Sequence, residues 1–235
     1  MKRLKLLLLL PIVFGGCADQ KEVHEVFHEG ALQEIMRGEA GKDISLSVLQ
    51  DKKHAYALGA IAGLKGEIQV LDGKGYISSV SGNEVFTDTT LNKKASLLVY
   101  SYVEKWKSIQ VPKEVISKEQ LETFVFKEAE KNDLNTEEPF AFLLEGSPER
   151  TDWHVINWTE GDSEHSHRKH KESGLNGSLY KEELTILGFY SNKHKGIFTH
   201  HSTNMHLHFV DKKKKLGGHV DDLKLGEGMI LKLPE

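Results

Sequence analysis

Met205-His206-Leu207-His208-Phe209-Val210 alternates apolar residues with histidines. Side chains on a β-strand point to opposite faces with a period of two. Met205, Leu207 and Phe209 therefore share a core face, while His206 and His208 share the other face, about 7 Å apart along the strand. Asp211 to Gly218 carries the run Lys212 to Lys215 and the pair Gly217-Gly218. It reads as a hairpin with a solvated lysine tip that returns His219 beside the two histidines. Three neutral imidazoles on two neighbouring strands suit Zn2+ and leave a position open for water or substrate. Histidines on a solvated strand face are common, so the pair alone says little; His219 makes it a candidate metal site.

The rest of the chain reads mainly as strands. Tyr56 to Leu71 holds two short ones, with alternating Tyr56, Leu58 and Ala60, then Ile68 and Val70. Asp72-Gly73 is a turn signal before a returning strand over Tyr76 to Val80. Further strands are expected over 96–103, 140–144, 153–158, 183–190 and 223–233. Ser117 to Asp133 is the best helix: Ser117 and Gln120 form a capping box, and Leu121, Phe124, Val125 and Ala129 make an apolar face. Ala31 to Met36 is a shorter helix. Residues 160–177 read as a polar loop holding His165, His167 and His170. The expected class is α+β, strand-dominated, with mixed or antiparallel sheets and few helices.

The chain has 235 residues, a formal charge of −4, one cysteine and 13 histidines, ten of them from His154 onward. A mildly acidic body gives no sign of nucleic-acid binding, and a single cysteine excludes an internal disulfide. Lys2, Arg3 and Lys5 precede an apolar run from Leu6 to Phe14, then Gly15, Gly16 and Cys17. This is the pattern of a secretory signal. The expected organisation is a signal peptide over 1–16, a tether over 17–30 and one domain over 31–235, with two sub-domains allowed by a split near 135–150. The solitary cysteine after two small residues resembles a bacterial lipobox, although Phe14 stands where Leu is usual. Lipidation at Cys17 would put an exported lipoprotein on the periplasmic or outer side, touching membrane only through its anchor. The alternative is an ordinary signal peptide with an incidental cysteine.

Two separated motifs carry a resemblance to the zinc-dependent alpha-acetolactate decarboxylase family. His206-Leu207-His208-Phe209-Val210 with Gly217-Gly218-His219-Val220 resembles that family's metal-binding strand pair. Far upstream, Gly66-Glu67-Ile68 and Val70-Leu71-Asp72-Gly73 resemble its Gly-Glu and Leu-Asp-Gly region. Pro139 to Phe142, Glu145-Gly146 and Leu187-Gly188-Phe189 fall between them in order, so the resemblance runs from about Phe27 to Leu233. It implies that His206, His208 and His219 hold Zn2+ and that Glu67 is the acidic active-site residue. The family's arginine follows the glycine matching Gly146 by eight residues; that count reaches His154 here. Arg150 is the nearest arginine. Thr199 to Asn204 replaces the family's shorter approach to the histidine strand, so His200 and His201 could line the mouth of the site.

The implied reaction is decarboxylation of 2-acetolactate to acetoin, a step of acetoin biosynthesis. Loss of CO2 leaves electrons that must be held as an enediolate, which a Lewis acid stabilises. A positioned acid must then deliver a proton. His154 could replace the arginine only in its charged form, which makes that role pH-dependent. Both candidates also have a plain reading: Glu67 as a solvated strand carboxylate, His154 as a packed strand residue. Two other functions stay open. A divergent relative could act on another small hydroxy-keto acid or only bind a ligand, and a histidine-rich lipoprotein could hold several loosely bound metals. The expected partner is a small-molecule substrate, and a homodimer is allowed.

If Cys17 is the lipid attachment site, wild type should fractionate with membranes, and Cys17→Ser should lose both lipid label and stable anchoring. Equal behaviour of the two proteins would identify an ordinary cleaved signal.

Overall fold

The computed structural model of the protein describes residues 24–39, 43–162 and 164–235. The signal segment and Cys17 lie outside these residues. Two antiparallel sheets make up the fold. The first is built from β1 (Val26–Glu29), β2 (Ile44–Ser45), β3 (Ala55–Ile61), β4 (Glu67–Leu71), β5 (Lys74–Ser81), β6 (Glu84–Asp88) and β7 (Lys94–Tyr102), in the order β1-β7-β3-β4-β5-β6 with β2 also on β7. The second contains β8 (Trp106–Gln110), β9 (Phe140–Gly146), β10 (Arg150–Val155), β11 (Leu175–Leu179), β12 (Leu184–Tyr190), β13 (Met205–Asp211), β14 (Gly217–Lys224) and β15 (Ile230–Pro234), in the order β11-β10-β14-β13-β12-β9-β15-β8. The helices are α1 (Leu32–Met36), α2 (Lys118–Lys131) and α3 (His167–Glu172). Among the described residues no helix is long and apolar enough to cross a membrane.

Alternation explains how the layers stack. In β13, Met205, Leu207 and Phe209 pack with Leu121, Val125 and Ala129 of α2. On the opposite side of the second sheet, Leu143, Leu187, Phe189 and Val210 pack against Leu58, Leu97 and Val99 of the first. A further cluster including Ile68, Val70, Ile77 and Leu98 lies on the first sheet's far side. Each sheet is therefore buried on both faces over its central strands, and the second face of β13 is interior rather than solvated. Polar side chains on that face must find partners inside the protein.

Several expectations need correction. Val26–Glu29, placed in the tether, pairs with β7 as an edge strand. The chain passes from one sheet to the other between Tyr102 and Trp106, well before 135–150. The stretch 223–233 is not one strand: β14 ends at Lys224 and β15 begins at Ile230. The region 160–177 contains α3 and the start of β11. Its Ser166 caps α3 by accepting from the Lys169 N–H, a local signal that charge density obscures in the sequence.

The α2 capping box is present as expected. Ser117 Oγ accepts from the Gln120 N–H at 3.3 Å, and Gln120 Oε1 accepts from the Ser117 N–H at 3.1 Å. A bridge between Ser117 and Lys224 ties this helix start to β14. Ser117→Ala should cost about 1 kcal/mol of stability, measured by denaturant unfolding, and Ser117→Asn should recover most of it. An unchanged midpoint in the alanine variant would show that the helix start is held by its sheet contacts alone.

Candidate metal centre and active site

β13 places His206 and His208 side by side, and antiparallel pairing sets His219 of β14 directly across from His208. One ring nitrogen from each of the three lies within 4.8 Å of the others. The backbone fixes two of the tautomers. His206 Nδ1 is 2.7 Å from the Phe198 carbonyl, and His208 Nδ1 is 2.9 Å from the Ile68 carbonyl. A carbonyl can only accept, so both Nδ1 atoms carry the proton and both Nε2 atoms present lone pairs. Those two Nε2 atoms face each other at 3.1 Å. Opposed lone pairs at that distance repel unless a cation lies between them. Burial pushes His206 down to about 4 and holds His208 and His219 well below the usual imidazole value. All three are therefore neutral, the form that ligates metal. On these grounds the residues present fit a zinc ion.

Glu67 opens β4 and reaches across from the first sheet. It is buried, with Oε2 at 3.6 Å from His208 Nε2 and Oε1 at 3.8 Å from His154 Nε2. Oε1 also accepts from the Ile156 N–H at 3.2 Å. Burial pushes this carboxyl up to about 7, against the opposing pull of His154 and the Ile156 hydrogen bond. The preceding residue must be glycine. Gly66 has φ +145°, and a Cβ there would sit 2.1 Å from the Ser78 carbonyl oxygen. That close approach of β4 to β5 aims Glu67 inward.

His154 of β10 pairs with His219 of β14, and their rings lie 4.9 Å apart. Beside them the register shifts: Asp152 opposes Asp222, Trp153 opposes Val220, and Asp221 is the extra residue. Such a bulge re-aims a side chain. Here Asp221 Oδ1 lies 2.9 Å from His154 Nδ1, so the ring donates there and turns Nε2 toward Glu67. Lys171 Nζ lies 3.2 Å from the other Asp221 oxygen. Burial raises the Asp221 pKa, but the His154 hydrogen bond and the charges of His154 and Lys171 outweigh it and leave the carboxylate below its ordinary value.

Glu67, His154, His206, His219 and Asp221 line one cavity of about 350 Å³ between the sheets. Glu67, His154, His206 and His219 form its polar end, and Leu32, Ile35, Leu64, Leu97 and Ile156 its apolar wall. His200 and His201 both line it, and His201 is exposed at its rim. Arg150 is not part of it. Four residues along a strand separate Arg150 from His154 by about 13 Å, and Asp152 between them binds the guanidinium through both nitrogens at 2.8 and 2.7 Å. His165 and His170 are more than loop residues: they lie 2.8 Å apart across Trp158, and His170 also lines the cavity. Two further charged residues, Asp221 and Lys118, belong to the lining. Asp221 follows His219 at the i+2 spacing of a strand, a signal that was present. Lys118 reaches the cavity only because α2 docks on β14, which no local pattern reveals.

Comparison with known proteins agrees with this architecture. No curated protein matches the chain. Among solved structures, an acetolactate decarboxylase from Bacillus subtilis subspecies spizizenii superposes with a TM-score of 0.71 at 18% identity, covering 90% of this chain and 86% of that one. The alpha-acetolactate decarboxylase of Bacillus subtilis strain 168 gives 0.70 at 17% identity, with 90% and 86% covered. A Staphylococcus aureus protein of unknown function, described as similar to alpha-acetolactate decarboxylase, gives 0.67 at 18% identity, with 88% and 84% covered. At these identities the structures establish a shared fold. The family model for alpha-acetolactate decarboxylase matches residues 26–232. From β1 into β15, this chain belongs to the alpha-acetolactate decarboxylase family.

Proposed function

We propose that the protein is a zinc-dependent decarboxylase that converts 2-acetolactate to acetoin and CO2. One observation carries this reading: a three-imidazole cluster opens through His206 and His219 onto a cavity that also holds a carboxyl and a fourth histidine, in a chain of this family. His206, His208 and His219 would hold the zinc, which when bound supplies Lewis acidity toward the hydroxyl and ketone oxygens of the substrate. The bond from the tertiary carbon to the carboxylate breaks, CO2 leaves, and the electron pair remains as an enediolate. One proton added to carbon completes acetoin. Glu67 is the group placed to deliver it, and His154 Nε2, 3.8 Å from Glu67 Oε1, can return a proton to that carboxyl. Asp221 holds the His154 ring in the orientation this requires. The apolar wall takes the substrate's methyl groups and keeps water from the reacting carbon. With the leader and Cys17, this activity would belong to an exported, lipid-anchored enzyme.

A second reading has its own support. His154 stands eight residues past Gly146, where the family has arginine. A relative so altered could act on another hydroxy-keto acid, or bind one without turnover. Supplying racemic acetolactate to the zinc-loaded protein decides between them. Acetoin and CO2 in equal amounts support the decarboxylase; binding without product supports the alternative.

Elemental analysis should find one zinc per chain, and most of it should be lost in His206→Ala or His219→Ala. Unchanged metal content in either variant would refute the ligand set. Glu67→Gln and His154→Ala should each retain zinc yet lower kcat by about 10²-fold or more. His154→Ala with near-normal turnover would show a packing role only.

A further inference from the structure

Lys118 lines the cavity, yet the reaction above does not use it. It is the first residue of α2, half-buried, with Nζ donating to the Asp221 carbonyl at 2.9 Å and lying 3.5 Å from the Val220 carbonyl. An ammonium has three donors and no acceptor. Two are directed at these carbonyls. Among the described residues no carboxylate oxygen lies within 4.0 Å of Nζ. Asp221, whose backbone carbonyl accepts from Nζ, gives its two carboxylate oxygens to His154 and Lys171 instead.

Burial and the helix start oppose a cation here, while Asp221, Asp222, Glu119 and Glu122 favour it without touching it. The start of a helix carries partial positive charge and favours anions. The three imidazoles of the same cavity fit a dication. Burial, the largest influence on Lys118, pushes its pKa down. A buried charge is costly unless it is paired. A carboxylate in direct contact with Nζ is left for what enters the cavity to supply.

We infer that Lys118 is the carboxylate-binding residue of the site, receiving the anionic end of a small 2-hydroxy-3-keto acid beside the histidine cluster. By the resemblance, the family's arginine can bind the carboxylate or donate a proton. In this chain the tasks are divided: α2 supplies the cation through Lys118, and β10 supplies a proton-carrying ring through His154. The inference rests on the decarboxylase reading for the identity of the acid, but not for the charge.

The test uses the full zinc-loaded protein and two ligands that cannot lose CO2. One is 2,3-dihydroxy-2-methylbutanoate, the acid with its ketone reduced; the other is butane-2,3-diol, which lacks the carboxylate. Titration calorimetry should show wild type preferring the acid. Lys118→Met should weaken the acid by about tenfold to a hundredfold and leave the diol unchanged, while Lys118→Arg restores the acid. Zinc content confirms that each variant is folded at the site, and Lys118→Gln replaces the methionine variant if that protein misfolds. Equal loss for acid and diol, no loss for the acid, or no preference in wild type overturns the inference. Wild type that binds the acid through Lys118 without making acetoin refutes the decarboxylase reading and keeps this one. Wild type that makes acetoin while Lys118→Met binds the acid normally does the reverse.

Discussion

The Nδ1–H of His208 donates to the carbonyl of Ile68, from a strand of one sheet to a strand of the other. This bond answers a constraint set by β13. That strand is buried on both faces, so the alternation that sends Met205, Leu207 and Phe209 toward α2 sends two imidazoles into the space between the sheets. A buried imidazole needs partners at both nitrogens. Backbone carbonyls of Ile68 and Phe198 satisfy one nitrogen on each ring and turn the other inward. The remaining lone pairs converge with His219. The polar requirement of a doubly buried strand and the geometry of a metal centre are thus met by one arrangement.

The other groups gather because four strands from two sheets meet at that point. β4 brings Glu67 from the first sheet, and β10 brings His154 alongside β14. The extra residue in β14 then swings Asp221 toward His154 instead of leaving it in the ladder. On the cavity's far side, the segment before β13 is held by α2. Glu122 accepts from the Asn204 N–H at 3.1 Å and from Asn204 Nδ2 at 2.7 Å, and it also accepts from the Thr203 hydroxyl. Lys118 lies one helical turn before Glu122, so α2 both fixes the approach to the histidine strand and contributes a cation to the cavity.

What could be read from the sequence follows the range of each interaction. The facing of His206 and His208, the return of His219 and the start of α2 depend on alternation, a short hairpin and a capping box, all local. Glu67 is legible only through the resemblance of Gly66-Glu67 to the family's motif; the structure adds that the conformation of Gly66 admits no side chain. The burial of Glu67 is not legible, because that depends on the second sheet closing over β4. Arg150 misled because nearness in sequence is not nearness along an extended strand: Asp152 stands between it and His154 and binds it. Lys118 lies 101 residues from His219 and became visible only with the docking of α2. The stretch 223–233 is broken at Gly226 to Gly228, where Gly228 takes φ +80° between two interior strands, while β1 is hidden in the tether because an edge strand exposed on one side carries a weak pattern.

Zinc-edge X-ray absorption on the metal-loaded wild type tests the central claim most directly, since it reads the ligand atoms rather than their consequences. The account predicts one zinc with three imidazole nitrogens at about 2.0–2.1 Å and a light-atom ligand completing the shell. A shell with fewer than three imidazoles, or one dominated by oxygen, would contradict it: the histidines between the sheets would then be packing groups and the metal would lie elsewhere.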